Sequence, residues 1–255
     1  MKKLIKKNNY CEVCSKKLIK NIKLGNHPMC DDLIKVGLNK KAQLFPITLS
    51  MCENCLTVAQ KIHINKTKLF PKNYHYRARL TKDVLNGQKN LVLQTEKFFG
   101  SLRKKNVLDI GANDCSLLNE FKKKGSKTIA VEPTNAIKDG LKYHTKYQSY
   151  FNKNISIKIK RKFKHIDFIT FTNVFAHINN FQELLNNLKN LISEKTIVIV
   201  ENHYLGSVLE KKQFDTFYSE HLRTYSFNSF LSIANNLKLN INQVQFPSRY
   251  GGNIR

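Results

Sequence analysis

The stretch VLDIGANDCSLL, residues 107–118, constrains this chain more than any other part of it. Residues 107–110 read as a buried strand that runs into a glycine-bearing turn and then a helix, with Asp109, Gly111, Asn113 and Asp114 at the turn. VEP follows downstream and puts Glu132 at the end of a second strand, 128–131. An acidic residue about 20 positions beyond such a turn is placed to take ribose hydroxyls. The glycines do not form G-x-G-x-x-G, and no second glycine opens the helix N-terminus to a pyrophosphate. The pattern points to an adenosine-type ligand without a pyrophosphate. S-adenosylmethionine fits it better than NAD, and implies methyl transfer.

From residue 105 onward the hydrophobic periodicity switches back and forth between strand and helix. Strands are predicted at 106–110, 128–131, 166–171, 196–200 and 239–246, and helices at 116–124, 135–142 and 227–237. Phe181, Leu184, Leu185, Leu188, Leu191 and Ile192 recur at helical spacing. Ile155, Ile157 and Ile159 alternate with polar residues, which reads as an edge or half-exposed strand. The β-branched run at 196–200 is typical of a strand buried on both faces. Alternation of this kind predicts an α/β fold, a doubly wound and mostly parallel sheet with helices on both faces. Its ligands bind at the carboxyl ends of the strands, which here carry Asp109 to Gly111, Glu132, Thr172 with Asn173, and Glu201 with Asn202. Upstream, residues 80–102 read as a helix with Val84, Leu85, Leu91, Val92, Phe98 and Phe99 on its apolar face. The expected division is a cysteine-bearing module at 1–70, a helical connector at 71–104 that contributes to the active site, and the cofactor domain at 105–255.

Five of the six cysteines lie in the first 55 residues. Cys11-x-x-Cys14 and Cys52-x-x-Cys55 are two short loops, each able to aim two sulfurs at one tetrahedral ion. Four thiolates close the shell, so the expected ion is a structural zinc. Cys30 lacks a partner at short spacing, and His27 and His63 read as ordinary polar residues.

The formal charge of +26 invites a nucleic-acid reading. The lysines are spread along the whole chain, however, so the charge is a general positive field that also suits an anionic small substrate. There is no apolar run of about 18 residues that could cross a membrane. The N-terminus, MKKLIKKNNYCEVC, is basic but has no apolar core of the secretory kind. A cytoplasmic protein is expected.

Two segments carry candidate chemistry. FTNVFAHI, 171–178, follows a strand and places Asn173 and His177 near the cofactor mouth. FDTFYSEHLRTYS, 214–226, gathers Asp215, Tyr218, Glu220, His221 and Tyr225. Histidine is the natural general base near neutral pH, and a neighbouring carboxylate can orient it. A satisfied core histidine and a polar surface loop are the bland alternatives.

With Cys11/Cys14, Cys52/Cys55, Tyr74-x-Tyr76, VLDIGANDCSLL, VEPTNA, TNVFAHI, FDTFYSEHLRTYS and YGGNIR in this order, nearly the whole chain resembles the sugar C-methyltransferases of deoxysugar biosynthesis. The resemblance implies an N-terminal zinc-binding module and a class I, Rossmann-like domain that binds S-adenosylmethionine. It implies a nucleotide-linked keto-deoxysugar as substrate, methylated on the carbon beside the ketone. His221 would then remove the α-proton, and Glu220, Tyr218, His177 and Tyr76 would position the sugar and stabilise the enolate. Three departures from the family stand out. Cys115 replaces a turn glycine, Ser219 replaces a histidine before Glu220, and the sequence stops at Arg255, where the family continues into a C-terminal domain. That stop suggests a partner carrying the missing domain, or a non-catalytic cofactor-binding subunit. The PMCDDL segment, 28–33, suggests a less usual branch and a different sugar. A zinc-ribbon nucleic-acid methyltransferase is the competing enzyme reading. It keeps the aromatic-basic run 73–79 but lacks a Pro-Pro turn after residue 172.

Overall fold

The computed structural model describes residues 5–30 and 32–255. Residues 1–4, the start of the basic N-terminus, and Asp31 of the PMCDDL segment lie outside the described residues. The chain forms two compact units from non-contiguous pieces: 1–71, 175–182 and 202–254 in the first, and 72–174, 183–201 and 255 in the second.

The first unit opens with β1 (Ile5–Lys7), followed by β2 (Ile22–Pro28), β3 (Leu44–Met51), β4 (Val58–Gln60) and β5 (Ile62–Ile64). β2, β3 and β4 form an antiparallel meander, and β1 pairs antiparallel with β5. In β3 the alternation of the pleat buries Phe45, Ile47 and Leu49. Phe45 joins Met29, Ile64 and Leu69 in a small core, Leu69 coming from α1 (Lys66–Leu69).

The second unit holds α2 (Lys82–Phe99), β6 (Asn106–Ile110), α3 (Ser116–Lys123), β7 (Lys127–Val131), β8 (Thr145–Tyr147), α4 (Lys153–Phe163) and β9 (Phe168–Thr172). It also holds most of α5 (Phe181–Lys189) and of β10 (Ile197–His203). Its strands are parallel in the order β10-β9-β6-β7-β8. Numbered within the unit this is 5-4-1-2-3, so the winding reverses between β6 and β9, where Asp109 pairs with Thr170. Leu91 and Val92 of α2 and Leu117, Leu118 and Phe121 of α3 pack with Val107, Ala130 and Phe168 on one face of the sheet. On the other face α4 is tied to α5 by the Ser156 hydroxyl, which donates to the Asn187 carbonyl at 3.0 Å.

The chain then returns to the first unit with α6 (Leu205–Glu210), β11 (Arg223–Thr224), α7 (Phe227–Leu237) and β12 (Asn253–Ile254). β11 extends the meander at the edge of β4, and β12 pairs antiparallel with Asn202 and His203 at the end of β10. α7 begins with a reciprocal cap. The Ser226 side chain accepts the Ser229 N–H at 3.2 Å, and Ser229 Oγ accepts the Ser226 N–H at 3.0 Å.

Three sequence expectations are corrected. Ile155 to Ile159 is helical, inside α4: Asn152 caps the helix by accepting the Ile155 N–H, and Ile155, Ser156 and Ile159 form its buried face. The period of 3.6 prevails over the apparent alternation. Residues 239–246 form no strand; the short β12 occupies the antiparallel edge instead. Residues Ile197 to Val200 are only half-buried, because β12 covers no more than the last two residues of β10.

His63 in the first unit and His144 in the second are 3% and 5% exposed, and burial pushes each down to about 4. An unfolded chain protonates both near pH 6.5, so stability is full above that value and is lost as pH falls toward 4. Each group accounts for roughly 3 kcal/mol over that window. Urea unfolding followed from pH 7 to 4 is expected to show this fall, and His63→Gln to remove about half of it.

Candidate functional site

At the switch point of the second unit the turn after β6 alternates in backbone hand. Gly111, Asn113 and Cys115 have φ of 78°, 46° and 65°. A Cβ on Gly111 would lie 2.4 Å from a methyl of Val174, so only glycine fits there. Cys115 sits left-handed at the start of α3, fully buried, with its thiol pushed up to about 12 by burial. That conformation is one a turn glycine adopts without strain.

The acidic groups at this end have distinct roles. Glu132, just beyond β7, is buried and holds its carboxylate by accepting the Thr134 hydroxyl and N–H at 2.6 and 2.9 Å and the Asn113 N–H at 3.1 Å. Asn113 and Asp114 turn toward the connector. Asn113 accepts the Ala78 N–H at 3.0 Å and donates to the Tyr76 carbonyl at 3.1 Å, and Asp114 accepts the Arg79 N–H at 2.9 Å. Arg77 and Arg79 both bind Asp139, at 2.6 and 2.7 Å. The backbone of the Tyr-x-Tyr segment is thus tied to the turn, and Tyr76 is 41% exposed. Asn173 follows β9 with a left-handed φ of 54° and donates its N–H to the Glu201 carbonyl at 2.7 Å.

Asp109 accepts the Thr170 hydroxyl at 2.7 Å and is 2% exposed. Burial, reinforced by the charge of Glu132, pushes its carboxyl up to about 7. Two carboxylates in a dry switch point fit a cationic ligand, and the sulfonium and ammonium groups of S-adenosylmethionine are of that kind. The unfolded carboxyl ionises near 3.8. The raised native value therefore favours folding at low pH, an advantage lost as pH rises through 7. Asp109→Asn keeps the acceptor for Thr170 and is expected to stabilise the chain by about 2–4 kcal/mol at pH 8 and not at pH 4. Denaturant midpoints at the two pH values measure the difference.

The first unit gathers His177, Tyr218, Glu220 and His221. The His221 ring lies 4.2 Å from Tyr218, 4.9 Å from His177 and 4.8 Å from His203, between centroids. Its Nδ1 is 2.8 Å from the Thr216 carbonyl, which can only accept, so the ring proton sits on Nδ1. Nε2 keeps the lone pair and accepts the Tyr218 hydroxyl at 3.0 Å. His177 Nδ1 donates in the same way to the Glu220 carbonyl at 3.0 Å. Burial holds His221 well below the usual histidine range, and the neighbouring His177 and His203 add to this. The result is a neutral imidazole with a defined lone pair beside a phenol donor, in a dry setting. Gln60 of β4 supports this segment, donating to the carbonyls of Tyr218 and His221 at 2.6 and 2.9 Å.

Cys11, Cys14, Cys52 and Cys55 converge elsewhere in the first unit, with all four sulfurs within 4.8 Å of one another. Cys11 to Cys55 is 3.5 Å and Cys14 to Cys52 is 3.4 Å, close to the edge of about 3.8 Å that a zinc–thiolate tetrahedron requires. The two loops are built alike. Ser15 and Leu56 donate back to the carbonyls of Cys11 and Cys52 at 2.7 and 2.8 Å, each with a left-handed φ, 62° and 54°. Cys55 is pulled down to about 5 by its hydrogen bond with Cys11, whose own thiol the same contact pushes up. The donor set fits a closed, four-thiolate metal site.

Residues 85–244, well over half of the chain, match the family described as a methyltransferase domain. The chain belongs to that family. C-methyltransferase NovU from Streptomyces niveus is 22% identical over 259 residues, which cover all of this chain and 61% of the relative. The chain thus spans about three-fifths of the relative's length. Among solved structures, the PH0226 protein of Pyrococcus horikoshii OT3 is similar at a TM-score of 0.52 and 12% identity, over 74% of this chain and 95% of that one. Magnesium protoporphyrin IX methyltransferase from Synechocystis PCC 6803, solved with bound SAH, is similar at 0.50 and 13%, over 69% and 82%. The methyltransferase domain therefore has the class I, Rossmann-like fold of S-adenosylmethionine-dependent enzymes. Among the described residues no helix is long and apolar enough to cross a membrane.

Tyr76 belongs to the second unit, with the turn residues, and the other four predicted catalytic residues to the first. His203, Gln60 and Arg223 were not singled out by sequence. His203 Nδ1 is buried with no hydrogen-bond partner among the described residues, and burial, with the charge of Arg249, pushes the ring down to about 4. The polar triplet Glu201-Asn202-His203 ending a β-branched strand was the available signal. Arg223 and Gln60 had none, since their roles depend on partners far away in sequence.

Proposed function

We propose that this methyltransferase acts on carbon, methylating the position beside the ketone of a nucleotide-linked keto-deoxysugar. The observation that carries the reading is the Tyr218–His221 pair, in which Nε2 has the lone pair and Nδ1 is held protonated. Methylation at oxygen or nitrogen starts from an existing lone pair, whereas a carbon beside a ketone must first lose a proton. A buried neutral imidazole is suited to that step. The similarity to C-methyltransferase NovU supports it independently.

In this reading His221 Nε2 takes the α-proton, and the C–H electron pair becomes the enolate. Tyr218 gives up its hydrogen bond to Nε2 and turns its O–H toward the enolate oxygen, an oxyanion-stabilising role. His177 and Glu220 position the sugar. Asp109 and Glu132 hold the cationic and ribose parts of S-adenosylmethionine, while Gly111 and Asn173 shape the turns around it. Bound S-adenosylmethionine supplies the methyl group, which the enolate carbon accepts as the sulfur–methyl bond breaks. Asn113 and Asp114 keep the connector in place, and Cys11, Cys14, Cys52 and Cys55 hold a structural zinc.

The test is incubation of the zinc-loaded chain with S-adenosylmethionine and a nucleotide-linked 4-keto-deoxysugar in deuterated water. A product heavier by one methyl group, and α-deuteration of sugar left unmethylated, are expected. Methylation of RNA or DNA with no change in the sugar would sink the proposal.

A further inference from the structure

The guanidinium of Arg223, two residues after His221, is 1% exposed, and its partners draw together three distant parts of the first unit. Nη1 donates to the carboxylate of Glu12, which lies inside the first Cys-x-x-Cys loop. Nη2 donates to the carbonyls of Ile178 and of Phe175, the latter at 3.3 Å, on either side of His177. Nε donates to the Tyr225 hydroxyl at 3.1 Å, and that hydroxyl donates to the Phe175 carbonyl at 2.9 Å. The Phe181 ring lies 4.9 Å beneath the cation. The Ala176 carbonyl accepts the Leu222 N–H at 2.9 Å, so the segments bearing His177 and His221 are laced together on both sides of Arg223.

Glu12 is itself held by its loop. Its backbone carbonyl accepts Gln182 Nε2 at 2.6 Å, and the next carbonyl, of Val13, accepts Asn236 Nδ2 of α7 at 2.8 Å. The second thiolate loop is bound to the start of α7, where Ser229 Oγ donates to the Cys55 carbonyl at 3.3 Å and accepts the Thr57 hydroxyl at 2.8 Å. Each thiolate loop thus has a direct line to the histidine segments, one through Glu12 and Arg223 and one through β4 and Gln60. A planar fork can serve a carboxylate and two carbonyls together; an ammonium on a flexible stem cannot.

We propose that Glu12 and Arg223 are positioning residues, an ion-pair pin through which the metal-bearing loop sets the placement of His177 and His221. The metal site then does more than hold its own fold: loading it orders the candidate base. The proposal relies on the roles given above to His177 and His221 only for its kinetic consequence.

Amide hydrogen exchange tests the pin without any substrate. In the zinc-loaded Glu12→Gln chain, residues 10–16 and 52–57 should stay protected, while 174–178 and 218–225 exchange about tenfold faster than in the unaltered chain. Arg223→Lys should do the same. Removing zinc from the unaltered chain should release all four segments together. In the methyl-transfer assay kcat should fall about 100-fold in both variants, the effect of a small misplacement of reacting groups, with KM for S-adenosylmethionine unchanged. Added guanidinium ion should restore part of the activity of Arg223→Ala. Wild-type exchange at 174–178 and 218–225 in loaded Glu12→Gln overturns the pin, whatever the kinetics. Faster exchange in the variants, together with an unaltered chain that methylates no keto sugar, leaves the pin standing and rejects the proposed reaction instead.

Discussion

His221→Asn is expected to lower kcat for methyl transfer by about 10²- to 10⁴-fold, the range that a general base contributes. The affinity for S-adenosylmethionine should stay as it was. Asparagine can still donate to the Thr216 carbonyl, which takes Nδ1–H at 2.8 Å in the unaltered chain, so the local hydrogen bond survives while the lone pair of Nε2 does not. Cofactor affinity is spared because the residues proposed to hold it, Asp109, Glu132 and Gly111, belong to the other unit. Tyr218→Phe should produce a smaller loss, since it removes the proposed oxyanion donor and leaves the proposed base. The pH profile adds a separate check. His221 is held well below the ordinary histidine value by burial, so its base form persists as pH falls through 6. The acidic limb of kcat/KM should therefore lie below pH 6.5. A loss of less than tenfold in His221→Asn, with the sugar still methylated, would remove this residue from the chemistry.

Much of the second unit could be read from sequence because its signals are local. A run such as VLDIG must be buried, and the helix Phe227–Leu237 of the first unit has the bounds read from the sequence. Signals that compete locally misled. Ile155, Ile157 and Ile159 satisfy a period of two on paper, but Asn152 caps a helix and the burial follows Ile155 and Ile159. β12 has two residues and owes its existence to the free edge beside Asn202 and His203, a long-range fact that no window of sequence contains. At the candidate site, residue types could be read but not their employment. Asn113 and Asp114 bear the signature of a cofactor turn, yet their side chains hold the backbone at 78–79. Arg223 looked like one basic residue among 44, and its burial against Glu12 spans more than two hundred positions.

Cys52→Ser, or removal of the metal by a strong chelator, is expected to unfold the first unit while the second stays folded. Structural zinc sites contribute apparent binding free energies of about 10–16 kcal/mol in small domains at neutral pH. Such a loss falls on the first unit, where Cys11, Cys52 and Cys55 are buried. The cluster around Leu118, by contrast, is built wholly from residues of the second unit. Cys52 also anchors the turn into β4, accepting the Leu56 N–H at 2.8 Å and donating to the Thr57 carbonyl at 2.9 Å. β4 in turn carries Gln60, which holds the carbonyls of Tyr218 and His221. The consequence is asymmetric. Chelation should erase amide protection in β2, β3, β4 and β11 and abolish methyl transfer, yet leave the protection of β6, β7 and β9 and most of the affinity for S-adenosylmethionine. Thermal unfolding of the stripped chain should then show the second unit's transition alone, with a smaller enthalpy than that of the loaded chain. If the stripped chain keeps full protection in β3 and β4, the four cysteines are a reduced, self-sufficient core and zinc has no structural part. If β6 and β7 open along with β4, the two units fold as one, and the metal stabilises the whole methyltransferase.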